Sequence, residues 1–423
     1  MKFSKIFFLG LLITASINVL AEEFIPSDQK PHKSGYKQQK KFGGPASVAA
    51  QLEEDDRIKE PALRLPAFDD FFKPWFEWKK TQNKNNGLQL GTDYTTLYQS
   101  ASDGLSGNET EAASGAFRVF AKWELSGRDT KNKGSLYIKF ENRHTLGTDI
   151  APSELGFDIG YNGITGTLYS DVGTVLNDFN WQQSFNDGSS GFIIGRYDPN
   201  DYMNVAGFVN PWTTFSNAAI GVDTSIALPD ASWGVAAGSW LGDQWQLQAA
   251  VNDANGLLDD TSFFQDGSEL FKFIELAWSP TRDDRYFKRI NLTYWHVDER
   301  ETKGINQGDG FSFTANWTFD KKWMPFIRGG KSNGAEQTKL MEKTASIGLI
   351  ARFQQSDLFG LGYSLGDPVG SGSKKQGSTE IFYRIQLSQG VAITPSIQLL
   401  TDLVNNPDDD KVMVYGVKAR ITL

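Results

Sequence analysis

Charged side chains recur two or four residues apart along several stretches that are otherwise mostly apolar or small. Arg118 and Lys122 lie in one such stretch, and Lys139, Glu141 and Arg143 lie in the next. A spacing of two places residues on one face of a β-strand. A face that carries both signs of charge can form ion pairs that brace a wall, and its Arg and Glu side chains can also hydrogen-bond a polar solute. These residues therefore indicate weak, non-covalent binding of a polar solute.

Residues suited to bond-making chemistry are scarce. The three histidines are His32, His144 and His296, and none stands beside a nucleophile motif such as Gly-x-Ser-x-Gly. The chain has no cysteine and no pair of histidines at ligand spacing. We therefore expect no enzyme activity, no metal site and no cofactor.

The charged rows must be positioned by strands, and the last twelve residues show this most clearly. Met413, Tyr415 and Val417 belong to an apolar row, whereas Lys418 and Arg420 belong to the alternate row. A long amphipathic edge strand invites aggregation, but a closed barrel pairs its last strand with its first. The region after residue 85, at roughly 20 residues per strand and connection, predicts about 16 to 18 antiparallel strands.

Alternation alone does not separate a membrane barrel from a soluble β-sandwich, because a sandwich also has one apolar and one polar face. Residues 1–21 resemble a secretory signal peptide, with Lys2 and Lys5 before an apolar core and Val19-Leu20-Ala21 as the cleavage site. Aromatic residues make up 13% of the chain, yet the mean hydropathy is −0.40. That combination is typical of a transmembrane barrel, in which only alternate strand residues face lipid. We predict an all-β fold, a transmembrane antiparallel β-barrel of about 16 strands over residues 85–423.

The net charge of the chain restricts the kinds of molecule that it can bind. Removal of residues 1–21 takes away two of the 42 basic residues, and 40 basic against 51 acidic residues gives a net charge of −11. An acidic surface argues against a nucleic-acid partner. An exported chain without cysteine must be held together without disulfides.

Residues 22–84 differ from the rest and are predicted to form an N-terminal periplasmic or plug-like segment. Its basic stretch Lys30–Lys41 is expected to be mobile. Residues Pro45–Arg57 predict a short helix capped by Ser47.

The remainder of this segment is rich in proline and aromatic residues. Pro61, Pro66 and Pro74 predict an extended or turning backbone. The aromatic residues of 68–78 are expected to pack against the barrel mouth or the membrane interface. The alternative is a segment that enters or covers the pore.

Three segments resemble the carbohydrate-selective outer-membrane porins of the OprB type. They are Gly195–Met203 with Phe208-Val209-Asn210 and Phe215-Ser216-Asn217, then Glu380–Leu387, and then Ile393–Gln398 with Asn405-Asn406-Pro407 and the closing strand. The resemblance spans about residues 87–423. Arg196 stands where that family usually has Lys, and Leu423 stands where such porins usually end in Phe.

The resemblance implies a 16-stranded barrel of the Gram-negative outer membrane that passes sugars, ions and similar small hydrophilic solutes through a charged constriction. Arg and Glu would bind sugar hydroxyls, and aromatic faces would stack on sugar rings. The candidate pore-lining residues are Arg118, Lys122, Glu141, Arg143, Arg196, Trp295, Arg352, Glu380 and Arg384. Expected partners are small carbohydrates, outer-membrane lipid and lipopolysaccharide, and the outer-membrane assembly machinery, with the protein as a monomer or a homotrimer.

Two other classes of function share parts of this pattern. A secreted carbohydrate-binding β-protein without a pore would have the same aromatic content, glycine-rich turns and acidity. An outer-membrane barrel hydrolase would need a nucleophile that the motifs do not supply.

Overall fold

The chain folds into a closed antiparallel β-barrel in a computed structural model that describes residues 42–61, 65–264, 267–353, 356–372, 374–406 and 408–423. The strands are β1 (Leu88–Ala101), β2 (Glu111–Ser126), β3 (Lys133–Thr145), β4 (Gly173–Phe185), β5 (Ser190–Tyr197), β6 (Ser232–Leu241), β7 (Trp245–Asp253), β8 (Leu270–Trp278), β9 (Lys288–Val297), β10 (Gly308–Trp317), β11 (Trp323–Gly334), β12 (Met341–Phe353), β13 (Asp357–Pro368), β14 (Gln376–Gln386), β15 (Val391–Thr401) and β16 (Lys411–Thr422). The helices are α1 (Val48–Asp56), α2 (Pro66–Asn86), α3 (Pro152–Asp158) and α4 (Ala218–Gly221). The predicted fold class and strand number are confirmed.

Closure joins the last strand to the first. β16 pairs antiparallel with β1, with Arg420 opposite Thr95 and Val417 opposite Tyr98. The backbone of Leu423 continues the pairing, because its N–H donates to the carbonyl of Thr92 at 2.7 Å. Every strand therefore has two hydrogen-bonded neighbours, and the sheet has no free edge.

The two faces of the sheet are arranged as the alternation predicted for a membrane barrel. Outward side chains are large and exposed, for example Leu292 at 53% and Ile347 at 59%. Inward side chains are mostly polar and buried, as Lys418 and Arg420 are on β16. This is the apolar-out, polar-in arrangement of a transmembrane barrel. Among the described residues, no helix has the length and apolar character needed to cross a membrane.

The two rims differ in their connections. The terminal rim, where β1 begins and β16 ends, has short turns such as residues 242–244 between β6 and β7. The opposite rim carries two long connections, residues 146–172 and residues 198–231. We call residues 198–231 the lumen loop, because nearly all of its side chains are buried inside the barrel.

Helix α1 lies inside the barrel. Val48 and Leu52 pack against Phe120 and Tyr137, which point inward from β2 and β3. Ser47 precedes the helix but makes no side-chain cap; its hydroxyl donates instead to the carbonyl of Gly44 at 2.7 Å. The expected signal peptide and the basic stretch before residue 42 lie outside the described residues.

The expectation of an extended backbone around Pro66 and Pro74 is wrong, because residues 66–86 form helix α2. Pro66 is the first helical residue, where a missing N–H removes no helical hydrogen bond. Pro74 does lie inside the helix, at a cost of about 3 kcal/mol. Contacts at both ends of the helix offset that cost, and Gly87 closes it in the left-handed region with φ 69° while its N–H donates to Asn83.

Candidate pore constriction

The lumen loop folds back into the barrel and packs against the wall. It leaves β5 at Tyr197 and reaches β6 at Ser232. Phe208 stacks on the inward-facing Phe326 with ring centres 3.8 Å apart, and Phe215 meets Phe382 edge-on at 5.0 Å. These apolar contacts hold the loop across the interior, so the loop narrows the lumen.

Glu275 on β8 anchors the first half of the lumen loop. Its carboxylate accepts the backbone N–H of Asn204, and it also accepts the Thr293 hydroxyl at 2.8 Å. Arg289 donates to the same carboxylate at 2.8 Å, and both partners of this ion pair are fully buried. Charge-assisted hydrogen bonds in a dry interior are strong and geometrically specific. Glu275 is therefore a positioning residue for the loop.

Glu380 on β14 anchors the second half. Its carboxylate accepts the backbone N–H groups of Ser216 and Asn217 at 2.8–3.0 Å. The Asn217 side chain donates to Gln398 on β15 at 2.9 Å, and its amide oxygen accepts from the N–H of Ala219 at the start of α4. A predicted pore-lining residue thus binds protein backbone at this site.

Two cations bind loop carbonyls. Lys418 on β16 donates to the carbonyls of Pro211 and Thr214, the second at 3.1 Å. Arg328 on β11 donates to the carbonyl of Gly221 at 2.9 Å and stacks over Phe208 at 5.1 Å. Together with the two carboxylates, they attach the loop to opposite sides of the wall, which makes it a rigid constriction.

A ladder of alternating charges lines the wall between β1, β2 and β16. Arg118 forms a two-pronged ion pair with Asp93, and Arg420 donates to both Asp93 and Asp55. The Asp55 carboxylate lies 2.9 Å from Arg420. Because Asp55 belongs to α1, the ladder connects that helix to the barrel wall. Burial opposes the charge of Asp55, but the Arg420 guanidinium holds the pKa of Asp55 below its ordinary value.

An aromatic pair covers the other side of Arg118. The guanidinium lies 3.9 Å from the ring centre of Trp212 in the lumen loop, and Arg143 lies 5.9 Å from the same ring. Tyr169, from residues 146–172, meets Trp212 edge-on at 5.4 Å. The hydroxyl of Tyr169 has no hydrogen-bond partner among the described residues. Guanidinium groups and aromatic faces thus meet at one place in the lumen.

A second charge cluster holds the start of the lumen loop. Lys139 on β3 lies 2.8 Å from Asp178 and 3.2 Å from Asp201. Asp198 accepts from the N–H of Asn200 at 2.9 Å. Burial, with the nearby Asp201 carboxylate adding to it, raises the pKa of Asp198 from 3.8 to about 8.

The raised pKa of Asp198 predicts a pH-dependent stability. The stabilising contribution of protonated Asp198 is complete below pH 3.8 and is lost as the pH rises through about 8. We expect the thermal unfolding temperature in detergent, followed by circular dichroism, to fall between about pH 5 and about pH 9 relative to that of Asp198→Asn. Asparagine stays neutral over this range and retains the oxygen that accepts from Asn200. Identical pH dependence in the two proteins would contradict this assignment.

Inward-facing side chains are covered around the whole barrel. Every strand has at least one inward-facing side chain that is buried. The buried inward side chains include Asp93, Arg118, Lys139, Asp178, Ile193, Ala236, Gln248, Glu275, Asn291, Thr314, Arg328, Ser346, Ser364, Glu380, Gln398 and Lys418. The lumen loop, residues 146–172 and α1 provide the described atoms that cover them.

Most of the predicted site residues face the lumen, but they bind one another or the inserted segments. Glu141 pairs with Arg143, and Lys122 lies 2.7 Å from Glu124. Arg384 donates to Gln386 at 3.1 Å.

Three of the predicted site residues have other surroundings. Trp295 is fully buried in an apolar cluster and stacks on Phe271 at 6.1 Å. Arg352 is partly exposed near the terminal rim. Arg196 is not brought to the lumen, because it shares the outward side of β5 with the exposed Ile194.

Arg196 has a structural role instead. Its guanidinium donates to the backbone carbonyls of Leu257, Leu258 and Asp260, at 2.6–3.2 Å. It therefore fastens the connection between β7 and β8 to the wall. The pattern around Gly195 resembled a sugar-porin motif, but strand alternation places this cation outside.

Sequence reasoning missed Glu275 and Arg328. Each is the one charged residue in an inward row that also holds large apolar residues, Phe273 on β8 and Phe326 on β11. The signal that could have located the inserted segments is an apolar residue within a charged row. Phe382 stands in such a row beside Glu380 and packs against the lumen loop.

Comparison with solved structures identifies the fold. The high-pH structure of Pseudomonas putida OprB matches with a TM-score of 0.65 at 13% identity, covering 82% of this chain and 97% of that one. The low-pH structure of the same protein matches with a TM-score of 0.50 at 14% identity, covering 82% and 96%. A substituted Rhodobacter blastica porin gives 0.51 at 14% identity, covering 79% and 100%. No protein-family model and no curated protein sequence matches.

The barrel therefore belongs to the porin class of folds, with sixteen antiparallel strands and a loop folded into the lumen. Within that class, its fold is of the OprB type. At 13% sequence identity, the similarity concerns the fold only. The expected resemblance is confirmed at that level.

Proposed function

We propose that this protein is a porin of the Gram-negative outer membrane, a passive channel without enzyme activity. The observation that supports the proposal is the closed barrel with an apolar exposed outer face and a charged lumen narrowed by the lumen loop. An outer face of this kind would be unfavourable in water, so a secreted soluble protein fits poorly. Lipopolysaccharide is the expected lipid at the rim that carries the long connections.

Conduction requires the covered lumen to open, and we assign this movement to α1. The lumen loop is bound by side chains of many strands, including Glu275, Glu380 and Lys418. Helix α1 meets the barrel through the ion pair of Asp55 with Arg420, the apolar contacts of Val48 and Leu52, and the side chain of Gln389, which donates to the carbonyls of Asp55 and Arg57. The channel therefore opens when α1 leaves the lumen, while the lumen loop stays in place as the constriction.

Neutral sugars are the proposed solutes. Trp212 supplies an aromatic ring, and Arg118 and Arg143 supply guanidinium donors at the same place in the lumen; all three are buried in this conformation, so a sugar reaches them only in the open state. A sugar ring has an apolar face that stacks on an aromatic ring and hydroxyls that accept from guanidinium groups. Binding must remain weak so that the solute can leave again.

Liposome swelling tests the sugar preference. We expect glucose to enter faster than mannitol, which has similar hydroxyl groups but no ring. Trp212→Leu should reduce the ratio of the two rates about two- to tenfold, the value of one aromatic stacking contact. Trp212→Phe is the matched control, because it keeps an aromatic face.

Equal rates of glucose and mannitol entry through the unaltered protein would contradict only the proposed sugar preference. The porin proposal would then stand for small hydrophilic solutes in general. The absence of swelling with either solute would count against the channel itself.

A further inference from the structure

Helix α2 carries an apolar stripe of four aromatic residues, of which Phe68, Phe71 and Trp78 are exposed and Trp75 is half-buried. Phe68, Phe71, Trp75 and Trp78 follow one another at spacings of three, four and three, which places them on one side of a helix. Phe71 is 76% exposed, and Phe68 and Trp78 are each more than 40% exposed. Lys73, Lys80 and Lys84 lie away from this stripe. The helix is therefore strongly amphipathic.

The helix lies along the terminal rim of the barrel. At its start, the N–H of Leu65 donates to the carbonyl of Leu387 at 2.9 Å, in the turn between β14 and β15. In its middle, Lys79 donates to the carbonyl of Leu423 at 3.2 Å. At its end, Arg128 donates to the carbonyls of Asn83, Lys84 and Asn85 at 3.0–3.1 Å.

These anchors span the ends of β14, β15, β16, β1 and β2, which are neighbours in the barrel. A helix of 21 residues is about 31 Å long. The rim thus holds α2 along an arc of the wall and fixes the direction in which its stripe points.

The end of α2 joins the lipid-facing surface of the barrel. Trp123 points outward from β2, is 44% exposed and donates its indole N–H to the carbonyl of Asn86 at 3.2 Å. Leu125, the next outward residue on that strand, is 49% exposed. Aromatic residues at this height in a barrel mark the boundary between lipid and water.

We propose that α2 is an interfacial helix whose stripe of Phe68, Phe71 and Trp78 inserts at the boundary between acyl chains and headgroups, beside the terminal rim. Aromatic residues on one side and lysines on another are the pattern of helices that lie in a membrane surface. Lys80 and Lys84 then reach the phosphates of anionic headgroups. The end of α2 meets the outward-facing Trp123 of the lipid-facing belt, and on this basis we assign lipid as the partner of the stripe.

A fluorescent label on a single cysteine tests the proposal, because the chain has no cysteine of its own. Ala67→Cys places the label on the flank of Phe71 and Trp78, at helical spacings of four and eleven. Glu77→Cys places it on the polar side. The full chain is reconstituted in liposomes of phosphatidylethanolamine and phosphatidylglycerol, with folding checked by heat-modifiable gel migration.

We expect lipids brominated on the acyl chain to quench the label at residue 67 at least about twofold more than the label at residue 77. Aqueous iodide should show the reverse order. Replacing both Phe71 and Trp78 with Ser in the Ala67→Cys protein should reduce quenching of that label by brominated lipid and increase its quenching by iodide.

Equal quenching of the two labels by brominated lipid would overturn the proposal. A second copy of the chain could also cover the stripe. In that case the protection of residue 67 would disappear as protein is diluted in lipid, or energy transfer would occur between labelled copies. Either result would overturn the proposal as well. Neither result depends on conduction, so the porin proposal is tested separately.

Discussion

Replacing Asp55 with asparagine should raise the fraction of time that the channel is open at least about tenfold in single-channel recordings. The substitution removes the ion pair between α1 and Arg420, while Arg420 keeps its contact with Asp93. Breaking a buried ion pair costs about 3–5 kcal/mol when the remaining charge is unpaired. A retained partner reduces this cost, but about 1.4 kcal/mol is enough for a tenfold change in population.

Glu54→Gln is the matched control for Asp55→Asn. Glu54 lies on the same helix, and its ion pair is with Arg57 only three residues along the chain, at 2.8 Å. Its removal keeps the ion pair between Asp55 and Arg420 and weakens only a longer-range attraction to Arg352 on β12, so the open fraction should change much less than in Asp55→Asn. Equal open fractions in all three proteins would show that α1 does not close the lumen.

Replacing Glu275 with glutamine should loosen the lumen loop and lower the stability of the barrel. Glutamine presents an N–H₂ group where the carboxylate accepts from Asn204, Arg289 and Thr293. The Arg289 guanidinium would lose its anion while remaining fully buried. We expect a loss of about 3–5 kcal/mol in the free energy of unfolding, measured by urea unfolding in detergent, and a larger, noisier single-channel current.

Glu342→Gln controls for the loss of a carboxylate from a strand. Glu342 lies on β12 and is exposed, so its replacement should change stability by less than about 0.5 kcal/mol. If Glu275→Gln were as stable as Glu342→Gln and conducted as the unaltered protein does, the loop would not depend on this anchor.

Strand alternation was sufficient to predict the barrel wall. Ile290, Leu292 and Tyr294 face outward and Asn291 and Thr293 face inward, as their period of two required. The pairing of β16 with β1 could also be predicted, because an amphipathic strand needs a neighbour on each side. These features depend on the chemistry of adjacent residues, which the sequence shows directly.

The inserted segments could not be predicted in the same way. Phe208 and Phe215 have no periodic pattern, and their partners Phe326 and Phe382 lie more than a hundred residues away in the chain. Charged rows indicated a water-filled lumen, but they cannot show whether their partners are solutes or protein. Glu380 and Lys418 illustrate this, because both bind the backbone of the lumen loop.

Helix α2 shows a different limit of sequence reasoning. Pro61, Pro66 and Pro74 favoured an extended or turning segment, because proline disfavours a helix interior. Leu387, Leu423 and Arg128 lie in other parts of the chain, and their hydrogen bonds to the helix outweigh that local preference. Tertiary contacts of this kind are invisible in a local pattern.

Single-channel recording in planar bilayers tests the central claim most directly. Purified, folded protein should produce discrete conductance steps, brief in the unaltered chain because α1 occupies the lumen, and prolonged in Asp55→Asn. Added glucose should reduce the open current of both. Folded protein that inserts into the bilayer and gives no conductance steps, in either form, would contradict the proposal that this barrel is a channel.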